Sequence, residues 1–421
     1  MLCCLLLWSL LLGAVLEARA SALAPETGMA DDRVLLAGGP TADAAVSAWT
    51  GLGVDVVRIH VLWSRIAPGA GATRAPRGFR ASDPNDPHYS WAATDAAVDR
   101  VRGAGIRVML TITGPGPLWS SGAPGRRQPR YRPSAVQFGR FAEAVARRYG
   151  DRVDRYIVWN EPNQPGWLQP QSTCAGHVCT PAAPAIYRHL VLAAEPAIKR
   201  GDPGAQVLIG ALAPRGHSAK DPEAQLRPLT FLRWFGCVTK TFKPVRSGTC
   251  RHFAPAVGDG LAFHPHGVLS APSAFPADPD DVNFASLPHL ESTLDRIQRA
   301  GGVRAGGRNP YERLDLYLDE FGYQTNPPDH ISGVSAAKQD RWLQEAAYRA
   351  WRDPRVRNLT QYEWQDEPVI KGGSGGWQSG LRYLSGAPKP APGALRHPVL
   401  HRPRPATALG PDPTRHRVAD R

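Results

Sequence analysis

Lysine is nearly absent from this chain of 421 residues: there are seven, against 43 arginines. The formal net charge is +13, yet the arginines are scattered among acidic residues rather than gathered on one segment. That is a bias of composition, not the concentrated basic footprint that tracks a phosphate backbone, and no nucleic-acid partner is expected. Membrane-length apolar runs are also lacking. Leu2–Leu16, interrupted only by Ser9, covers about 15 residues, short of the roughly 20 that a helix needs to cross a bilayer. Behind it stand the small-x-small triplets Ala18-Arg19-Ala20 and Ala22-Leu23-Ala24. The run therefore reads as an export signal over 1–24, although no Lys or Arg precedes it. A retained N-terminal anchor is the alternative; with the signal removed, no stable membrane insertion is expected and the protein is secreted.

Cysteine is scarce, with six in all, and Cys3 and Cys4 fall in the export segment. The remaining four, Cys174, Cys179, Cys237 and Cys250, allow three pairings. The local pairs Cys174–Cys179 and Cys237–Cys250 close short loops and suit an oxidising compartment. A cysteine zinc site would want closer spacing than the second pair offers, and no metal or cofactor is expected. The dinucleotide fingerprint G-x-G-x-x-G is missing where it would matter, at Leu36-Ala37-Gly38-Gly39-Pro40. Glycine (42) and proline (41) are plentiful but show no G-X-Y period, so they mark turns and long loops rather than collagen.

What is present is an alternation of strands and helices. Strand-like runs are Val34–Ala37, Val54–Val61, Ile106–Thr113, Arg155–Trp159, Gln206–Leu212, Gly260–His264, Leu314–Asp319 and Leu359–Trp364. Helical patterns fill 41–50, 91–103, 134–149, 182–200, 228–240, 287–300 and 335–352. In the third of these, Val136, Phe138, Phe141, Val145 and Tyr149 form an apolar stripe, with Ser134 as its cap. Eight such units predict parallel pairing with right-handed crossovers, closed into a single (β/α)8 TIM barrel with long βα loops. The barrel would occupy 25–397, leaving 398–421 as a basic, Pro-rich tail expected to be disordered.

In such a barrel chemistry sits where the strands end. The ends here carry Arg58 and His60, Thr111 and Thr113, Asn160 and Glu161, His264 and His266, Glu320 followed by Tyr323, and Trp364. Two carboxyls in one cleft suit acetal chemistry: one protonates the leaving oxygen, the other stabilises or traps the oxocarbenium-like centre. Arg58 would hold Glu320 as an anion, leaving Glu161 as the acid. Asn160 could bond a sugar 2-hydroxyl, and Trp364 could offer its face to a sugar ring. Plainer readings exist for each. Glu320 could be a buried partner of Arg58; Trp63, Trp119, Trp167 and Trp377 read as packing or loop anchors, and Asp366 and Glu367 as solvated loop charges.

The motifs also carry a resemblance. Trp159-Asn160-Glu161-Pro162-Asn163 resembles the strand-four signature of the retaining glycosidase clan that includes family 5 and family 39 hydrolases. Tyr317–Gly322 is similar to that clan's strand-seven nucleophile segment. Val57-Arg58-Ile59 with Trp63–Pro68 resembles its strand-two segment, and Pro388–Ala391 its closing stretch. The four follow the family order over about 33–396. The resemblance implies Glu161 as acid/base, Glu320 as nucleophile, Asn160 as the 2-hydroxyl partner, Arg58 as the group orienting the nucleophile, and His264 as a sugar contact. It departs at His266, where many relatives have tyrosine, which opens the question of what bonds the nucleophile; Tyr323 is the candidate substitute. The expectation is a secreted glycosidase acting on an oligo- or polysaccharide with retention. A silent carbohydrate-binding barrel or a transglycosylase is the alternative, and oligomeric state is left open.

Overall fold

The computed structural model describes residues 24–390, apart from 308, 311 and 371–375. Nearly all of the export segment, the tail from 398 and the closing residues 391–394 lie outside the described residues.

Eight parallel strands close into one barrel. They are β1 (Glu26–Ala30), β2 (Val56–Leu62), β3 (Arg107–Thr113), β4 (Arg155–Val158), β5 (Gln206–Leu212), β6 (Gly260–Phe263), β7 (Leu316–Phe321) and β8 (Val356–Tyr362). Each pairs with the next in sequence, and β8 returns to β1. A strand with side chains on both faces buried reads as a continuous apolar run. Arg107–Thr113 and Gln206–Leu212 do so, buried at every position after the first. One apolar cluster including Val56, Met109, Ile157, Leu208, Ala262 and Tyr317 packs apart from the larger sheet–helix core and forms the floor under the rim. At the far end Glu26 is joined to Arg107 and Arg155.

Each expected helix is present within one to five residues at its ends. On the helix Ala135–Tyr149, Ser134 accepts a hydrogen bond from Gln137 N, and Phe138, Phe141, Val145 and Tyr149 are buried. Val136 is exposed instead, because it lies two residues off that stripe. The helix from Pro228 ends at Phe235, just before Cys237 turns to a left-handed φ of 50°.

The first strand lies upstream of the expected Val34–Ala37. Residues 34–37 belong to the helix Asp32–Ala37, capped by Asp31 Oδ1, which accepts from Val34 N at 2.9 Å. The first strand is Glu26–Ala30, a segment with one large apolar residue and no β-branched run. Tertiary pairing fixes it: Glu26 through Ala30 register against Asn358 through Tyr362. Gly28 permits this, since a Cβ there would stand 2.1 Å from Thr360 Oγ1.

Both local disulfides form. Cys174–Cys179 bridges a hairpin of Ser172–Ala175 and Val178–Pro181, and Cys237–Cys250 closes the loop after the helix Pro228–Phe235. Among the described residues no helix is long and apolar enough to cross a membrane.

Candidate active site

Arg58, on β2, is the hub of the rim and is fully buried. Its Nη1 donates to Glu320 Oε2 at 2.8 Å, its Nη2 to Asn160 Oδ1 at 2.6 Å, and its Nε to Thr111 Oγ1 at 2.9 Å. The same Nε lies 3.2 Å from Asp319 Oδ2. Nη2 also reaches His60 Nε2 at 2.8 Å. A guanidinium can only donate, so His60 Nε2 accepts and its proton sits on Nδ1, facing Asp32 Oδ2 at 2.5 Å. Asn160 spends its oxygen on Arg58, which leaves its amide N–H groups as the end available to a ligand.

The turn after β4 is held in an unusual conformation. Trp159 and Glu161 have φ of 70° and 38°. Such left-handed non-glycine residues cost on the order of 1–3 kcal/mol each and persist where neighbours over-determine them. Here Trp159 N donates to Ile112 O, Asn160 N to Thr113 Oγ1 and Glu161 N to Ala211 O. The Trp159 indole lies over Gly114, where a Cβ would approach it to 2.1 Å. Asn163 is a clamp below the rim, bonded to Ala213 and Leu226.

His264 and His266, after β6, join the two carboxyls. His264 Nδ1 stands 3.1 Å from Glu161 Oε1 and 3.8 Å from Glu320 Oε2, while Nε2 is 3.3 Å from Asp319 Oδ2. His266 Nε2 is 3.3 Å from Glu320 Oε1. Glu161, Glu320, Arg58, Asn160, His264 and His266 are therefore one contiguous cluster.

The sequence matches no family model and no curated protein. Solved structures do match. A family 39 glycoside hydrolase from Bacteroides cellulosilyticus superimposes at TM-score 0.54, with 15% identity over 90% of this chain and 64% of its own. GH5_18 from Streptomyces cattleya, solved with GlcNAc, gives 0.56 at 16% identity, covering 89% and 80%. The beta-glycosidase of Thermosphaera aggregans gives 0.54 at 16%, covering 92% and 98%. The fold is the (β/α)8 barrel that these hydrolases adopt. This chain spans just under two thirds of the family 39 protein's length.

Two expected site residues stand elsewhere on the barrel. Tyr323 is buried and its hydroxyl donates to Ser270 O at 2.9 Å, so the contact to Glu320 is made by His266 instead. Trp364 lies two residues beyond the end of β8, in a T-shaped contact with Trp49 and with the Arg382 guanidinium over its ring. Asp366 is no solvated loop charge: it is buried against Lys389 Nζ at 2.6 Å. Lys389 also bonds Thr325 and Gln378, which ties the closing stretch to the barrel. Glu367 accepts from Trp377 N.

Two further tryptophans stand against the rim histidines. Trp377, partly exposed, tilts over His266 at 5.9 Å and meets Tyr362 edge-on. Trp167 stacks on His60 at 6.0 Å. Trp63 and Trp119 are packing residues, as expected. Asp319 carries no sequence signal of its own, because a regular strand turns neighbours to opposite faces. The β7–β8 register is irregular between Leu318 and Phe321, and both Asp319 and Glu320 reach Arg58 and His264.

Charge follows geometry. Burial alone would lower the proton affinity of His264, but Glu320 and Asp319, with the hydrogen bonds to Asp319 and Glu161, push its pKa up to about 10. Burial would raise Glu320, yet His264, the His266 contact and Arg58 hold it well below the usual carboxylate range. Tyr362 is driven upward by burial and then by Glu320. The His264 contribution to stability is whole below its unfolded pKa of about 6.5 and fades as pH rises towards about 10. The Glu320 contribution has the opposite sign, present above its unfolded value and lost as pH falls. Calorimetric melts of the wild type and a His264→Gln variant should therefore converge, by a few kcal/mol, between pH 6.5 and 10. A gap that held constant across that interval would refute the assignment.

Proposed function

We propose that this protein is a glycosidase that cleaves O-glycosidic bonds of an oligo- or polysaccharide with retention of configuration. One observation carries the reading: Glu161 and Glu320, from β4 and β7, face the same nitrogen of His264, at 3.1 and 3.8 Å. Those two distances cap the gap between the facing oxygens at about 7 Å, which is below nearly all of the roughly 6.5–9.5 Å separation of inverting enzymes and leaves room for the retaining value of about 5–5.5 Å.

Glu320 is the nucleophile, because Arg58 and His264 keep it anionic. Glu161 is the acid. It protonates the glycosidic oxygen while the bond from that oxygen to C1 breaks and Glu320 bonds to C1. Glu161 then takes a proton from water, whose oxygen displaces Glu320 from C1. Asn160, held by Arg58, presents its amide N–H to the 2-hydroxyl. Trp377, tilted over His266, and Trp167, stacked on His60, offer aromatic surface to a sugar beside the cluster. Two disulfides and the apolar N-terminal run support secretion of a barrel of about residues 25–397.

The test is a panel of aryl glycosides and polysaccharides. It should include salicin, a substrate analogue bound by a further structural neighbour, the virulence factor SghA (TM-score 0.54, 15% identity), and Manβ1-4GlcNAc, bound by a single-substitution variant of GH5_18. The anomer of the first product is read by NMR. Retention is expected. An inverted first product would overturn the mechanism, and glycan binding without bond cleavage would favour a silent binding barrel.

A further inference from the structure

The two imidazoles after β6 are surrounded by acceptors. His264 faces Glu161 and Glu320 with Nδ1 and Asp319 with Nε2. His266 faces the Gly322 carbonyl with Nδ1 and Glu320 Oε1 with Nε2, each at 3.3 Å. A neutral imidazole has one N–H and one lone pair. Two neutral rings would thus leave a lone pair against an acceptor at two of these nitrogens. A cation set between the rings and the carboxyls would satisfy those lone pairs. Counted with every carboxyl ionised, Glu161, Asp319 and Glu320 against Arg58 leave two negative charges. Two protons and one divalent ion balance them equally.

We propose that this cluster binds one Zn2+ ion through His264 Nδ1, His266 Nε2 and Glu320, with a water molecule as the fourth ligand. The ligand atoms of His264, His266 and Glu320 already lie within 4.8 Å of one another. Bonds of about 2.0–2.2 Å in a tetrahedron place ligand atoms roughly 3.3 Å apart, so the three need draw in by at most about 1.5 Å. The supporting contacts are in place. A metal-bound imidazole usually gives its other N–H to a carboxylate or a backbone carbonyl. Asp319 stands behind His264 and the Gly322 carbonyl behind His266 in those positions. Arg58 occupies Glu320 Oε2, while Oε1 is the oxygen turned to His266. Two imidazoles with a carboxylate favour zinc over the all-oxygen ions magnesium and calcium. Zinc should also block turnover, since it takes the Glu320 carboxylate; that consequence rests on the glycosidase reading, whereas the binding does not.

The metal-stripped full-length protein should be titrated with Zn2+ by calorimetry at neutral pH, in two buffers of different ionisation heat. One ion per chain and release of at least one proton are expected. His266→Phe and Glu320→Gln, confirmed as folded by circular dichroism, should each weaken binding by at least about 100-fold, beyond the 10- to 100-fold typical of losing an outer contact. In the wild type, Co2+ should give the intense visible absorption of a four-coordinate site. Lack of Zn2+ binding, binding that the folded variants keep, or a Co2+ spectrum like that of the hydrated ion would overturn the proposal.

Discussion

A Glu320→Ala variant is expected to lose at least about 10⁴-fold in kcat on whichever glycoside the wild type cleaves best, and to regain part of it with azide. The loss follows from the environment. Arg58 Nη1 at 2.8 Å and His264 Nδ1 at 3.8 Å both stabilise a negative charge at this position, and His266 adds a third contact at 3.3 Å. With the carboxylate gone, the oxocarbenium-like centre has no anion beneath it and no atom to trap it. Azide entering the vacated space bonds to C1 from the Glu320 side, so the product should be the glycosyl azide of inverted configuration. The corresponding Glu161→Ala variant makes a useful contrast. It should lose about 10²- to 10⁴-fold on substrates with poor leaving groups and far less on activated aryl glycosides, whose departing oxygen needs no proton. Circular dichroism must accompany both, because Glu320→Ala leaves Arg58 and His264 with less opposing charge. A folded Glu320→Ala variant within tenfold of wild type would dismiss Glu320 as nucleophile.

The carboxyl pair was legible because its elements announce themselves locally. Tyr156–Trp159 and Leu316–Leu318 are apolar runs, each followed directly by polar residues, and the strand–helix rhythm places both ends on one rim. What stayed hidden needed long-range information. Glu26–Ala30 has no strand signature of its own and is held by its partners β8 and β2. β8 ends at Tyr362, two residues before the expected end at Trp364, because nothing in the local sequence marks that boundary. Asp32 and His60 are 28 residues apart, and nothing in either segment says that they meet. Asp319 required a departure from strict alternation, which residue types do not encode. The identity of residue 266 was plain, but not which atom it would turn toward Glu320.

Arg58 is where fold and chemistry join, and an Arg58→Met variant is expected to destabilise the protein by about 3–5 kcal/mol, the usual penalty for stranding one side of a buried ion pair. The guanidinium is enclosed by Thr111, Asn160, His60, Asp319 and Glu320, taken from four different strand ends. Methionine fills a similar volume, so the loss reports charge and hydrogen bonding rather than a cavity. Asp319 is the more vulnerable partner. Its Oδ1 is buried without a hydrogen bond among the described residues, and its Oδ2 would keep His264 alone. An Arg58→Lys variant retains the charge but cannot fork to Glu320 and Asn160 at once, and should fall between wild type and Arg58→Met. Urea unfolding midpoints measure the series. Combining Arg58→Met with Glu320→Gln should recover part of the loss, because the second change removes one of the stranded charges. If Arg58→Met costs less than about 1 kcal/mol, or the double variant is simply additive, the guanidinium does not hold Glu320 in the way its 2.8 Å contact implies.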